Sequence, residues 1–360
     1  MKKKSLLIYI PSIEGGGVEK FLYLITNYFI KKKIKVIVLT AFSCKKKYLS
    51  KEARIVSLKQ NDNLIKSRFI RNLISAFLFL KYYSRDNIAI FSLQSNITAI
   101  ILSLIFNKKI IIRSNTAPDK YIKNSIKKSI FRFFFKFADR IIVNSNEFKR
   151  RFKKFFSISP IAIYNPFIKK RVRNVNFNFF NDKKFLRIIN IGRLTDQKDH
   201  LTLLRAVKKL DKYRKFRLAI IGRGYREKFL RKYISENKLQ EKVRMLGYKE
   251  HADSYIKKSD IFVLSSIYEG APNVLLESIF LKKYVISTDC PTGPKEILSN
   301  GKYGDLFKVR DHNQLFKLLK NFNKNSPKVK YKISKGYKSL ARFNHKSNCE
   351  KYFQIISKYL

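Results

Sequence analysis

The chain has 360 residues, 45% of them hydrophobic, enough to bury two cores of ordinary size and too many for a disordered composition. It carries 79 Lys and Arg against 25 Asp and Glu, a net charge of +54, so it attracts polyanions. Its three cysteines, Cys44, Cys290 and Cys349, suggest neither a disulfide framework nor a zinc site. Part of the charge goes with a general abundance of Lys, Asn, Ile, Phe and Tyr, as in an AT-rich coding sequence. The remainder is a preference for an anionic partner, nucleic acid or lipid.

The N-terminus, Met1-Lys-Lys-Lys followed by Ser5-Leu-Leu-Ile-Tyr-Ile10, is basic and then apolar, but too short for a signal sequence. It reads as a first strand. Further β-branched runs follow at Val36–Thr40, Arg54–Leu58, Ile88–Leu93, Ile110–Arg113, Arg140–Asn144 and Ile161–Tyr164. A second series runs through Arg187–Ile191, Arg217–Ile221, Val243–Leu246, Ile261–Ser265 and Val285–Thr288. Helical patterns separate the runs, which is the signature of parallel α/β structure. The apolar runs Ile74–Leu80 and Ala99–Phe106 fall short of the ~20 residues of a membrane span. The expected organisation is a first domain over 1–165, a linker over 166–184, a second domain over 185–340 and a final helix over 341–360.

Candidate chemistry sits in loops that follow strands, where open parallel sheets bind ligands. After the first strand stands Ser12-Ile-Glu-Gly15-Gly16-Gly17, whose glycines let backbone amides approach a ligand at a helix N-terminus. It lacks the dinucleotide fingerprint, because Lys20 replaces the third glycine and no acid ends the second strand. The second series opens with Gly192-Arg193-Leu-Thr-Asp-Gln-Lys198, which places two cations on one loop to converge on a diphosphate. Gly222-Arg-Gly224 is either a plain turn or a nucleotide contact. Tyr268-Glu269-Gly270-Ala-Pro272-Asn273-Val274-Leu-Leu-Glu277 joins a strand end to a helix. There the amides of Asn273 and Val274 point at an anion, while the two carboxylates accept from the hydroxyls of a sugar and a ribose. Asp289-Cys-Pro-Thr292-Gly293-Pro-Lys-Glu is an active-site wall or a structural turn.

No D-x-D occurs, and His200, His251, His312 and His345 are too scattered for a metal site, so no metal and no other cofactor is expected. No aromatic–basic repeat or reader motif supports nucleic-acid binding. Two stretches, 66–85 and 120–140, mix helical apolar patterns with cations; Phe131, Phe133, Phe134, Phe135 and Phe137 fall in the second. They read either as ordinary domain helices or as helices docking on an anionic membrane face.

These motifs resemble the family 4 retaining glycosyltransferases of the GT-B fold. The resemblance covers most of the chain and is strongest over Gly192–Lys198, Gly222–Gly224, Tyr268–Glu277 and Asp289–Leu298. It implies an α/β fold of two facing doubly wound Rossmann-like domains, with a C-terminal helix crossing back to the first. It implies transfer of a hexose or N-acetylhexosamine from a nucleotide-sugar, expected to be UDP-linked, to a glycan or glycolipid acceptor at the inner face of the plasma membrane. In its terms Arg193 and Lys198 grip the diphosphate, Glu269 contacts the transferred sugar and Glu277 the ribose. Gly16, Gly17, Gly222, Gly224, Gly270, Asn273 and Val274 complete the donor site. Many relatives carry a histidine where this chain reads Arg113-Ser114-Asn115-Thr116, so Arg113 and Asn115 stand as acceptor-side residues without an inherited role. The rival reading is a basic, non-catalytic protein of the same fold that binds nucleic acid or membrane.

Overall fold

The computed structural model describes residues 5–13, 17–42, 48–58, 67–115, 122, 124–169 and 171–360. It divides into two compact units. One comprises 1–166 together with 343–360, and the other comprises 167–342.

The first unit is built on strands β1 (Ser5–Tyr9), β2 (Lys35–Phe42), β3 (Arg54–Leu58), β4 (Ala89–Ser92), β5 (Ile110–Ser114), β6 (Arg140–Val143) and β7 (Ile161–Ala162). All pair in parallel in the order β3-β2-β1-β4-β5-β6-β7, with Leu7 beside Ile37 and Ile8 beside Phe91. The crossovers carry α1 (Gly17–Lys31), α2 (Arg68–Tyr83), α3 (Asn96–Ile105), α4 (Ser125–Phe135) and α5 (Asn146–Phe156). A strand sends successive side chains to opposite faces, so each strand feeds two cores. Leu7, Tyr9, Ile37, Leu39, Ile90 and Ile112 pack on one face with Phe79, Phe135, Phe148 and Phe152 from the helices. Leu6, Ile8, Val36, Val38, Phe91 and Ile111 pack on the other with Phe21, Leu22, Ile25 and Phe29 of α1.

The second unit interleaves β8 (Leu186–Ile191), α6 (His200–Leu210), β9 (Phe216–Ile221), α7 (Glu227–Glu236), β10 (Val243–Met245), α8 (Ala252–Lys258), β11 (Ile261–Leu264), α9 (Asn273–Phe280), β12 (Tyr284–Thr288), α10 (Pro294–Ile297), β13 (Asp305–Phe307), α11 (His312–Lys320) and α12 (Pro327–Ser339). Its sheet is also all parallel, in the order β10-β9-β8-β11-β12-β13. The short strand β13, which pairs Asp305–Phe307 with Ile286–Thr288, has no counterpart in the expected strands.

Helix α13 (His345–Ile356) belongs to the first unit. Its Cys349, Tyr352 and Ile356 are buried in the core beside α1, and the Tyr352 ring lies 5.0 Å from that of Phe21.

Residues 167–184, which the sequence places in a linker, are counted in the second unit, and three of their side chains are packed into it. Phe177, Phe179 and Phe180 are buried. The ring of Phe177 meets Tyr255 at 5.1 Å, and the guanidiniums of Arg217 and Arg244 lie 5.0 and 4.5 Å from the ring of Phe179. Their spacing matches neither helix nor strand, so no periodicity marks them as core. Among the described residues no helix is long and apolar enough to cross a membrane.

Candidate functional site

Ligands of open parallel sheets bind where the strand order reverses. In the second unit that point lies between β8 and β11. The loops following these two strands run from Gly192 to Asp199 and from Ser265 to Pro272.

The first of these loops rests on the loop after β9. Leu194 is 1% exposed, and its amide donates to the Arg223 carbonyl at 2.9 Å. A Cβ on Gly222, where φ is +152°, would lie 1.8 Å from the Gly192 carbonyl oxygen, and one on Gly224 would lie 2.3 Å from that of Leu194. Glycine is therefore required at both positions by the close approach of two backbones. The turn reading of Gly222 and Gly224 accounts for them without a ligand.

The loop then crosses to the β11 side. The Gln197 carbonyl accepts from the Ile267 amide at 2.8 Å, and the Gln197 side chain donates to the Tyr268 carbonyl at 3.0 Å. Ser265 Oγ donates to the Lys198 carbonyl at 2.9 Å. Asp199, with φ +43°, caps α6 by accepting from the Thr202 amide at 3.3 Å. Held this way, the Lys198 ammonium pairs with Glu269 Oε1, with side-chain exposures of 14% and 8%. Ser266 Oγ donates to the same oxygen at 2.6 Å. Glu269 Oε2 has no partner among the described residues, so one carboxylate oxygen remains to accept a hydroxyl.

A third loop, after β12, fixes this arrangement from behind. Thr288 Oγ1 donates to the Ser266 carbonyl at 2.6 Å, and Thr292 Oγ1 donates to the Glu269 carbonyl. Gly293 has φ +95°, and a Cβ there would lie 1.7 Å from the Gly270 carbonyl oxygen. Ser265, Ser266, Thr288, Thr292 and Gln197 were in view in the sequence, but spacing alone gave them no role. Pro272 stands at the N-cap of α9 with ψ 107° and no side-chain cap, so Asn273 and Val274 open the helix. That end favours an anion. Glu277 lies one turn further on, half-buried.

Arg193 and Lys198, expected to act as one pair, are placed differently: Arg193 is exposed, whereas Lys198 is committed to Glu269. His200 is buried, its Nε2 has no hydrogen-bond partner, and burial beside Lys198 pushes its pKa down to about 3. It is a neutral side chain at neutral pH. Among the described residues no group of three or more His, Cys, Asp or Glu is placed to hold a metal ion.

In the first unit the strand order reverses between β1 and β4. Gly16 lies outside the described residues, and Gly17 is the first residue of α1. Arg113 is the penultimate residue of β5 but is only 2% exposed, so it meets a ligand only through its neighbours. It donates to Asn115 Oδ1, while Asn115 Nδ2 donates to the Leu93 carbonyl at 2.7 Å. Asn115 thus keeps one amide N–H to offer and has no basic atom. Further polar residues line the same edge: the Ser12 amide donates to Gln94 Oε1 at 3.1 Å, and Arg71 donates to Ser12 Oγ at 3.0 Å.

The family model described as Glycosyl transferases group 1 matches residues 173–339, and that described as Glycosyltransferase Family 4 matches residues 15–168. An uncharacterized glycosyltransferase of Methanocaldococcus jannaschii is 35% identical over 228 residues, 57% of this chain; the chain spans only 55% of that relative's length. The N-acetylgalactosamine-N,N'-diacetylbacillosaminyl-diphospho-undecaprenol 4-alpha-N-acetylgalactosaminyltransferase of Campylobacter jejuni subsp. jejuni serotype O:2 is 28% identical over 364 residues, covering 96% of this chain and 95% of that one. The crystal structure of Anabaena HepE in complex with UDP and glucose shares the fold, with a TM-score of 0.80 at 15% identity over 99% of this chain and 100% of that one. With one model matched to each of its two parallel sheets, the chain belongs to the family 4 glycosyltransferases of the GT-B fold.

Proposed function

We propose that the protein transfers a hexose or N-acetylhexosamine from a UDP-linked donor to a lipid-linked glycan or polysaccharide acceptor, with retention at the anomeric carbon and without a metal. The observation that carries the reading is the Lys198–Glu269 pair at the sheet's reversal point, beside the uncapped start of α9. A cation, a helix N-terminus and a half-satisfied carboxylate together suit a nucleotide diphosphate joined to a sugar. The Campylobacter relative acts on a diphospho-undecaprenol-linked sugar by its name, and HepE was crystallised with UDP and glucose.

In the proposed reaction the bond between the anomeric carbon and the diphosphate oxygen breaks, and its electron pair leaves with the diphosphate. The acceptor hydroxyl attacks the same face, and its proton passes to a departing diphosphate oxygen. Arg193 and Lys198 offset the negative charge that develops there. Glu269 Oε2 accepts from a sugar hydroxyl and Glu277 from the ribose. With Arg193 and Lys198 present and no D-x-D in the sequence, the donor's charge is met by side chains.

The acceptor is proposed to be reached at an anionic membrane surface. On α2, Phe69, Leu73, Phe77 and Leu80 form one exposed stripe at helical spacing. Ile126, Ile130, Phe133 and Phe137 form another on and just past α4, and α3 between them exposes Ile101, Leu104 and Ile105. Arg68, Lys81, Lys127 and Arg132 are exposed on the same helices. Of the five phenylalanines between 131 and 137, Phe135 is buried and Phe131 and Phe134 pack on the core, while Phe133 and Phe137 face outward.

The test is a screen of nucleotide-sugars against lipid-diphosphate acceptors, run with and without exhaustive EDTA treatment. Transfer from a UDP-sugar with the anomeric configuration kept, undiminished by EDTA, is expected. An inverted product, or activity that returns only with manganese or magnesium, overturns the corresponding part.

A further inference from the structure

Among the described residues, Arg113 is a buried charge without a countercharge. Its Nε donates to the Tyr352 hydroxyl at 3.1 Å, one terminal nitrogen donates to Asn165 Oδ1 at 2.5 Å and the other to Asn115 Oδ1. The Phe21 ring lies 4.0 Å from the guanidinium carbon. All these partners are neutral, and among the described residues no carboxylate pairs with it. A guanidinium taken out of water without an anion is costly even when its hydrogen bonds are met. Replacing Asn165 by the isosteric aspartate would remove that cost, yet the chain keeps asparagine.

The network lies at the carboxyl edge of the first sheet, where ligands of such sheets bind. Asn165 follows β7, Arg113 stands one residue before the end of β5, and Asn115 ties this group to the Leu93 carbonyl after β4. The neighbouring residue Gln94 accepts from the Ser12 amide after β1. Side chains thus lace together the ends of four strands, with Tyr352 of the returning helix α13 as the anchor behind.

We propose that Arg113 is a positioning residue whose charge is left uncompensated to be balanced by a diphosphate group of a substrate bound at this edge. Tyr352 and Asn165 hold the guanidinium, and the guanidinium fixes Asn115 so that its remaining amide N–H faces the bound molecule. The proposal rests on the reading of the chain as a transferase of diphosphate-activated sugars. The donor nucleotide and a lipid-diphosphate acceptor carry the same chemistry, and the measurement separates them.

The test is Asn165→Asp in the full chain, read by thermal unfolding and by transfer kinetics with donor and acceptor varied in turn. The new carboxylate neutralises Arg113 in place, so the melting temperature should hold or rise while the KM of the diphosphate-bearing substrate rises about tenfold or more, as removal of a charge acting through a low-dielectric interior predicts. A rise confined to the donor KM assigns the anion to the nucleotide; a rise confined to the acceptor KM assigns it to the acceptor. Unchanged kcat and both KM values in a stable Asn165→Asp protein overturn the proposal. Should that variant fail to fold, Tyr352→Phe carries the test: loss of the anchor should lower kcat, and wild-type turnover in a folded protein overturns the proposal. Titration with inorganic pyrophosphate in an Arg193→Ala, Lys198→Met, Glu269→Leu background, which leaves no stranded charge, gives a readout that needs no turnover. There Asn165→Asp should weaken binding about tenfold, and equal affinity overturns the proposal. Failure of the wild-type chain to transfer any nucleotide-sugar would instead strike the transferase reading, while the pyrophosphate titration still decides this one.

Discussion

Lys198 and Glu269, 71 residues apart in the chain, meet as an ion pair that is almost out of solvent. Removing one member of such a pair strands a buried charge, at a cost of about 3–5 kcal/mol, whereas replacing both by apolar groups is often neutral. Glu269→Gln should therefore lower both stability and turnover. The double variant Lys198→Met, Glu269→Leu should recover most of the stability and none of the activity. Denaturant unfolding and transfer rates measure the two effects. A double variant that turns over normally would make the pair a structural feature only.

Arg193 behaves differently because it is exposed. Surface substitutions usually change stability by less than about 0.5 kcal/mol. Losing a charge aimed at a developing anion costs ~10²–10³-fold in rate. Arg193→Ala should keep the wild-type melting temperature and lose transfer activity by that factor, and near-wild-type turnover would remove it from the mechanism.

The backbone behind Glu269 offers a sharper steric test. Gly293→Ala combines φ +95° with a Cβ 1.7 Å from the Gly270 carbonyl oxygen, whereas Gly247→Ala, at φ +66°, meets nothing nearer than Arg223 Nε at 3.8 Å. Gly247→Ala should cost only the left-handed backbone penalty of about 1–2 kcal/mol. Gly293→Ala should cost more and also displace the loop that carries Glu269, so its turnover should fall well below that of Gly247→Ala at matched folded fraction. Equal losses in both would show that the two loops do not move together.

His200 sets an acid limit. Its folded pKa of about 3 lies below the ordinary 6.5, because burial disfavours the imidazolium. Between those values the unfolded chain binds a proton that the folded chain does not. Stability from this group is therefore full above pH 6.5 and falls with acidification at about 1.4 kcal/mol per pH unit, down to pH 3. Replacing His200 by Phe should flatten the stability–pH curve in that window by one proton's slope, as urea titrations from pH 7 to pH 4 would show. An unaltered slope would mean that the imidazole is hydrated or paired in solution.

The exposed stripe on α2 makes the membrane proposal quantitative. Phe69, Leu73 and Phe77 changed together to Ser should abolish flotation with anionic vesicles without lowering the melting temperature, since none of the three is buried. Wild-type binding should weaken with salt. Recovery that is equal with neutral and anionic vesicles would rule the surface out as a docking face.

The two parallel sheets were legible because every strand but β13 is a short, largely apolar run flanked by helical patterns, as Leu6–Ile10 and Ile261–Ser265 illustrate. The Glu269 loop was legible because its glycine, proline and carboxylates stand together in sequence. The partnership of Lys198 with Glu269 was not, because a sequence does not say which of many lysines folds back across a sheet. In the sequence Gly222 and Gly224 read equally as a turn or as a nucleotide contact; their need for glycine comes from Gly192 and Leu194, invisible without the neighbouring strand. Phe177, Phe179 and Phe180 were hidden in an asparagine-rich stretch with no period. The burial of Arg113 was hidden for a related reason: Tyr352, which covers it, is 239 residues away.

The first unit is discontinuous, and that orders the way the chain is made. Residues 167–342 form one uninterrupted unit, whereas the first unit lacks a wall of its core until residues 343–360 have left the ribosome. Cys349, Tyr352 and Ile356 seal the face of the sheet against which α1 packs. Domains generally fold as units during synthesis, the N-terminal one first. Here that order is reversed between the two units: the one begun earlier can close only after the other has been made, and a premature stop before residue 343 would leave it open.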